Sequence, residues 1–156
     1  MNIELIPVCE ENYRAVMALK VKDDQRRFVA PNILSLVQAA YEPQMYPLAV
    51  CANGAPVGLI LYDFDRDLNG WSMSRFMIDA ASQHAGIGGA ALKIFLKWFD
   101  EKYPDVETLY TSAEVENAVA LALYEKNGFV RGAAFEYDVD DMHFTEYRLV
   151  RTRAIR

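Results

Sequence analysis

The sequence predicts a mixed α/β fold, one central sheet flanked by about four helices. Three observations predict it. Runs of strand and helix period follow one another in the order β-α-α-β-β-β-α-β-α-β-β. Asn53-Gly54 separates two apolar runs and is the strongest hairpin signal a short sequence carries, so the early strands are antiparallel. A glycine-rich turn, Gln83-His84-Ala85-Gly86-Ile87-Gly88-Gly89, leads from a β-like run into a helix-like one, and the sheet turns parallel around its fourth and fifth strands.

Each element has its own signal. Ile3, Leu5 and Pro7 alternate with polar neighbours as a first strand. Glu10 to Lys20 follows, with Tyr13, Val16, Met17 and Lys20 at helical spacing. Val21 to Asn32 is polar and irregular, and Ile33 to Tyr41 reads as a short helix. Pro43 and Pro47 bracket a connector, after which Leu48 to Ala52 and Pro56 to Phe64 form the hairpin. Asp67-Leu68-Asn69-Gly70 turns the chain into Trp71 to Ile78. From Ala90 to Tyr103, Ala91, Leu92, Phe95, Leu96 and Phe99 make an apolar stripe that should face the sheet. Thr108 to Ser112 is a short strand, a helix carrying Tyr124 follows, and Phe129 to Glu136 and His143 to Val150 close the sheet.

A chain of 156 residues, 53% hydrophobic and 24% charged, is expected to form one domain over 1–156. No apolar run approaches the length of a membrane span, and Met1 to Glu4 lacks a basic stretch followed by an apolar one, so a cytoplasmic protein with no membrane partner is expected. The formal charge of −6 argues against nucleic acid, whose phosphates require a basic face, and suits a cationic substrate. Cys9 and Cys51 are isolated, so both are expected to be free, mostly buried thiols, with no metal site. His84 and His143 read as structural or surface residues.

The glycine-rich turn carries the chemistry. A strand-to-helix turn leaves backbone N–H groups free at the positive end of the helix dipole, a natural seat for phosphate. A Walker A loop would end in Gly-Lys-Ser/Thr, whereas this one ends Gly88-Gly89-Ala90. Gly86-x-Gly88-x-x-Ala91 matches a dinucleotide fingerprint formally, but the acidic residue that should close the next strand is missing: Glu107 opens it. The third reading is Gln-x-x-Gly-x-Gly as a coenzyme A loop. A second motif accompanies it: Asn117 opens a helix that ends in Leu123-Tyr124-Glu125-Lys126-Asn127-Gly128-Phe129. Asn117 suits an N-cap and Gly128 the left-handed position that ends a helix.

With these two motifs in this order, the stretch from Trp71 to Gly132 resembles the GNAT superfamily of N-acetyltransferases. The resemblance implies the GNAT-type fold, acetyl-CoA as donor and an amine as acceptor. It implies that backbone groups of Phe76, Met77 and Ile78 face the pantetheine arm, with the N–H of Met77 or Ile78 stabilising the oxyanion. Gln83, His84, Ala85, Gly86, Ile87, Gly88 and Gly89 would hold the diphosphate, and Asn117, Ala120, Tyr124 and Lys126 would complete the coenzyme site. Similar enzymes often carry Lys or Arg where this chain has Ala85, which leaves the phosphates one cation short. Tyr124 is the implied general acid, protonating the departing thiolate; reference values of about 8.5 and about 10 for thiol and phenol suit that transfer. An alkylammonium of pKa ~10.4 costs about 4–5 kcal/mol to deprotonate at neutral pH, so a base is needed. Asp79, Glu114 and Glu116 are equal candidates.

The acceptor site should lie in the front half. Gln25-x-x-Phe28-Val29-Ala30-Pro31-Asn32 resembles a segment of the spermine/spermidine acetyltransferase branch, which implies a polyamine held by Asp23, Asp24, Gln25, Phe28 and Asn32. Another small amine, a protein N-terminus, or a non-catalytic coenzyme A-binding module are the alternatives. The strands after Phe129 could support a homodimer, on family analogy.

Overall fold

The computed structural model describes residues 1–155. Its strands are β1 (Ile3–Pro7), β2 (Met45–Ala52), β3 (Ala55–Asp65), β4 (Gly70–Ile78), β5 (Thr108–Glu114), β6 (Val130–Val139) and β7 (Met142–Thr152). Its α-helices are α1 (Tyr13–Ala18), α2 (Asn32–Tyr41), α3 (Ile87–Lys102) and α4 (Ala118–Lys126). The strands form a single sheet in the order β1-β2-β3-β4-β5-β7-β6, antiparallel throughout except where β4 meets β5. The predicted class and order of elements hold.

Local chemistry explains the turns. Asn53 and Gly54 both have positive φ, 52° and 85°, as a two-residue hairpin of matching twist requires. Asp65 caps the next turn, its Oδ1 accepting from the N–H groups of Asp67 and Leu68. Gly128, at φ 93°, ends α4 in the left-handed conformation, and the Phe129 N–H returns to Tyr124 O at 3.1 Å.

Several boundaries differ from the sequence reading, each for a physical reason. Pro47 lies inside β2 instead of a connector. Its carbonyl accepts from Val8 N–H just beyond the end of β1, so the N–H that proline lacks would face a side with no strand partner. The helix expected over Glu10–Lys20 shrinks to α1, because Asn12 Oδ1 accepts from Cys9 N–H and holds the preceding residues in a turn. The irregular segment contains a short 3-10 helix, Asp23–Phe28. Cys51 is buried as expected, but Cys9 is exposed.

The sheet separates two cores. On the back face, α3 buries Leu92, Phe95, Leu96 and Phe99 against Val50, Ile60, Tyr62, Met73 and Leu109. Truncating a buried phenylalanine costs about 3–5 kcal/mol, so this stripe anchors the helix that follows the glycine turn. On the front face, α1 and α2 cover Ala49, Cys51, Leu59 and Met77 with Val16 and Leu36. No described helix is long and apolar enough to cross a membrane.

Candidate active site

The parallel pairing of β4 with β5 is short. Trp71, Ser72 and Met73 pair with Leu109, Tyr110 and Thr111, and there it ends. Beyond that point β4 continues to Ile78, while β5 continues to Glu114 along β7 alone. Two features fix the point of divergence. Thr111 Oγ1 donates to Met73 O at 2.8 Å, a side chain standing in for the next ladder bond. The register shift between Leu61 and Tyr62 leaves Ser74 over as a bulge, which bends β4 at the same place.

The gap is a cleft. Ser74, Arg75 and Phe76 line one side, Ser112 and Ala113 the other, and Asn117, Ala120 and Tyr124 of α4 close its back. The front wall comes from Phe28, Val29 and Ala30 and from Tyr137, Val139, Phe144 and Glu146 of the last hairpin. An adjoining hollow of about 400 Å³ shares Val29 and Ala30.

The glycine turn sits at the end of β4. Gly86 caps α3 in the left-handed region at φ 77°, and His84 also has positive φ, 65°. The Ala90 N–H makes the first helical bond, to Gly86 O at 3.1 Å, which leaves the N–H groups of Ile87, Gly88 and Gly89 without a helical partner. Ile87 anchors the turn by burying its side chain in the core. A Cβ on Gly88 would meet nothing nearer than Ile78 Cγ1 at 3.8 Å, so the fold leaves the space open. These features fit a diphosphate seat. Lys22 Nζ lies 3.1 Å from His84 Nε2, so a cation stands beside the turn even though Ala85 offers none.

Of the coenzyme residues expected from sequence, Phe76, Asn117, Ala120 and Tyr124 line the cleft. Met77 differs: its side chain is buried in the front core, leaving only its backbone for a ligand. Ile78 packs its side chain on the back core, and Gln83 donates to Ile78 O at 2.9 Å. Asn117 caps α4, accepting from Ala120 N–H at 3.2 Å, and Lys126 is exposed in the last turn. Tyr124 is 5% exposed. Burial pushes its hydroxyl well above the ordinary tyrosine range, which Thr111 partly offsets and Glu146 adds to. The close match of phenol and thiol acidities expected from sequence therefore does not hold in the fold, although the hydroxyl stays protonated and ready to donate.

The acceptor residues fare differently. Phe28 lines the cleft. Asn32 is 5% exposed and donates to Val16 O at 2.9 Å, so its side chain holds α2 on α1. Gln25 is bonded to Gln83, tying the 3-10 helix to the glycine turn. Asp23 and Asp24 are exposed outside the cleft, with Asp23 paired to Arg26. None of the three base candidates lines it either. Asp79 accepts from Lys20 N–H and Ala81 N–H, Glu114 from Thr145 N–H, and Glu116 pairs with Arg27 at the surface.

The cleft instead contains charged groups that the sequence reading missed. Arg75 reaches α2, donating to Ser35 Oγ and Gln38 Oε1, and burial lowers its pKa. Asp63 lies behind it on β3, accepting from Ser74, and burial raises its carboxyl to about 6. Glu146 is 4% exposed and accepts from Ser112 and Tyr137. Its signal in the sequence was faint, a carboxylate in phase with Phe144 on an alternating strand.

The sequence model of the acetyltransferase (GNAT) family matches residues 11–129. The spermine/spermidine N(1)-acetyltransferase of Bacillus subtilis (strain 168) is 29% identical over 136 residues, covering 83% of this chain and 88% of that protein. Among solved structures, AAC(6')-Ib in complex with ribostamycin and coenzyme A superposes with a TM-score of 0.76 at 18% identity, covering 98% of this chain and 94% of the other. A spermidine N-acetyltransferase SpeG chimera from Vibrio cholerae and hSSAT gives 0.72 at 15% identity, covering 97% and 96%.

Proposed function

Because the chain belongs to the acetyltransferase (GNAT) family and is an acetyl-CoA-dependent acyltransferase, we propose that it acetylates a slender primary amine, a polyamine such as spermidine or spermine. The observation that carries the reading is the cleft itself. It has a hydroxyl donor, Tyr124, at the back and a buried carboxylate, Glu146, at the front. Its cavity volume of about 50 Å³ holds a few waters, where one needs about 10–15 Å³. That suits the end of an alkylammonium better than a sugar ring. The hairpin beside it adds Asp140 and Asp141 at its tip, and Glu136 and Asp138, which already hold His143, carboxylates that together favour a polycation. The Bacillus relative supports the same acceptor class.

In this reading the N–H groups of Ile87, Gly88 and Gly89 hold the coenzyme diphosphate, with Lys22 adding charge. The unpaired length of β4 receives the pantetheine arm as an added strand would be received. Tyr124 protonates the departing thiolate.

The test is release of free thiol from acetyl-CoA in the presence of an amine panel. Spermidine and spermine should give the highest kcat/KM, ahead of an aminoglycoside and a peptide N-terminus. A preference for either of those moves the acceptor assignment. Binding of acetyl-CoA without turnover on any amine overturns the enzyme reading of this cleft.

A further inference from the structure

We infer that Glu146 is the group that receives the acceptor's ammonium and takes its proton, an assignment that rests on the proposed acetyl transfer to an amine. Ser112 Oγ and the Tyr137 hydroxyl donate to the same oxygen of Glu146, Oε1, at 2.7 and 2.8 Å. Among the described residues no hydrogen bond reaches Oε2. Oε2 is not among the sealed polar atoms left without a partner, so it is open to the cleft, and a carboxylate oxygen placed there accepts from whatever partner reaches it. Glu146 lines the cleft that also holds Tyr124, so that partner is a donor entering the cleft.

The clamp is built to hold orientation. Tyr137 is stacked between Phe135 and Phe144, with ring centroids 5.5 and 5.1 Å away, which fixes its hydroxyl against Oε1. Ser112 is on β5, at the lip of the divergence from β4. Oε2 is thereby left as the oxygen of Glu146 that takes no hydrogen bond from the described residues, and a cation with donors can be accepted there. The three acidic residues singled out from sequence have their oxygens turned to other work outside the cleft.

The charges facing Glu146 are mixed. Glu114 on β5 is its cross-strand partner, Arg148 lies on β7 itself, Arg75 faces it from β4, Tyr137 from β6 and Tyr124 from α4. Burial, first of all, raises the Glu146 carboxyl, the Ser112 and Tyr137 donors lower it, Glu114 raises it and Arg148 lowers it. The net effect is a carboxylate more basic than usual, which suits proton abstraction.

The step balances without another reagent. Glu146 Oε2 takes one proton from the ammonium, freeing the nitrogen lone pair to form the C–N bond with the acetyl carbonyl carbon. The C–S bond breaks with its electron pair on sulfur, which Tyr124 protonates. The proton still in excess on nitrogen returns to Tyr124, and Glu146 releases its own to solvent. One proton leaves per turnover.

The test is Glu146→Gln, which keeps the shape and an oxygen for the Ser112 and Tyr137 donors. Expected is a fall in kcat of about 10²–10⁴-fold with acetyl-CoA affinity unchanged, and loss of the acidic limb of the kcat/KM profile. Turnover within about threefold of wild type, or a retained acidic limb, overturns the assignment. Should that variant fail to bind acetyl-CoA, Tyr137→Phe is read instead. Removing one donor makes the carboxylate more basic, so its acidic limb should move to higher pH, and an unmoved limb overturns the assignment. A wild type that turns over no amine overturns the proposed function and this inference together. A wild type active on spermidine with an indifferent Glu146→Gln overturns the inference alone.

Discussion

The Thr111 hydroxyl donates to Met73 O at 2.8 Å, where the parallel ladder of β4 and β5 stops. Both residues are 1% exposed, so the bond is shielded from water. It lets two strands part without leaving that carbonyl unsatisfied, and the parting creates the cleft. Thr111→Val keeps the shape and removes the donor. It should destabilise the fold by about 1–3 kcal/mol, the usual cost of an orphaned buried acceptor, as read by urea unfolding.

Gly88→Val tests the phosphate seat. The fold itself has room for a Cβ there, with Ile78 Cγ1 at 3.8 Å, so Gly88→Ala is the control that adds bulk toward the ligand without crowding the fold. Acetyl-CoA affinity should fall tenfold or more, about 1.4 kcal/mol, with a loss of folding stability below that of a core truncation. Calorimetry on the folded variant checks it. Unchanged affinity there puts the diphosphate elsewhere.

Tyr124→Phe should leave acetyl-CoA binding intact and lower kcat by about 10²–10⁴-fold. Burial raises the Tyr124 pKa, so the required protonated form persists throughout the accessible alkaline range. The wild-type kcat profile should therefore show no alkaline limb from this group up to about pH 10, the ordinary tyrosine value. A limb that appears below it and vanishes in Tyr124→Phe contradicts this account.

Asp63 should make stability pH-dependent. Its carboxyl rises from 3.8 to about 6 on folding, chiefly through burial. For an acid raised in the fold, the protonated form is favoured on folding. The penalty is absent below the unfolded value, grows between about pH 4 and 6, and is complete above. Two units correspond to about 3 kcal/mol, and the side chain is too buried for much screening. The stability of Asp63→Asn relative to wild type should accordingly increase by up to that amount between pH 4 and 7. Urea midpoints at the two pH values measure it, and a difference independent of pH removes Asp63 as the cause.

The residues proposed to hold the coenzyme stand out in the sequence because their pattern is local. Gly86, Gly88 and Gly89 meet a backbone requirement within one turn, and Asn117 and Gly128 meet two more at the ends of one helix. Such requirements constrain residues a few positions apart, and the chain displays them in order. The acceptor residues have no such local pattern, and the fold places them separately: Phe28 lines the cleft while others do not. Asp23 and Asp24 look like a cation site in sequence, yet on a short 3-10 helix they face solvent.

The sequence by itself determined the mixed sheet, the turns, the glycine turn before α3 and the helix carrying Tyr124, through periodicities and dihedral needs that neighbouring residues satisfy together. Only the tertiary structure decided which carboxylate lines the cleft. Glu146, Ser112 and Tyr137 belong to three strands, and Arg75 to a fourth. Their meeting depends on sheet order and on where β4 leaves β5, which are long-range pairings that no local pattern encodes.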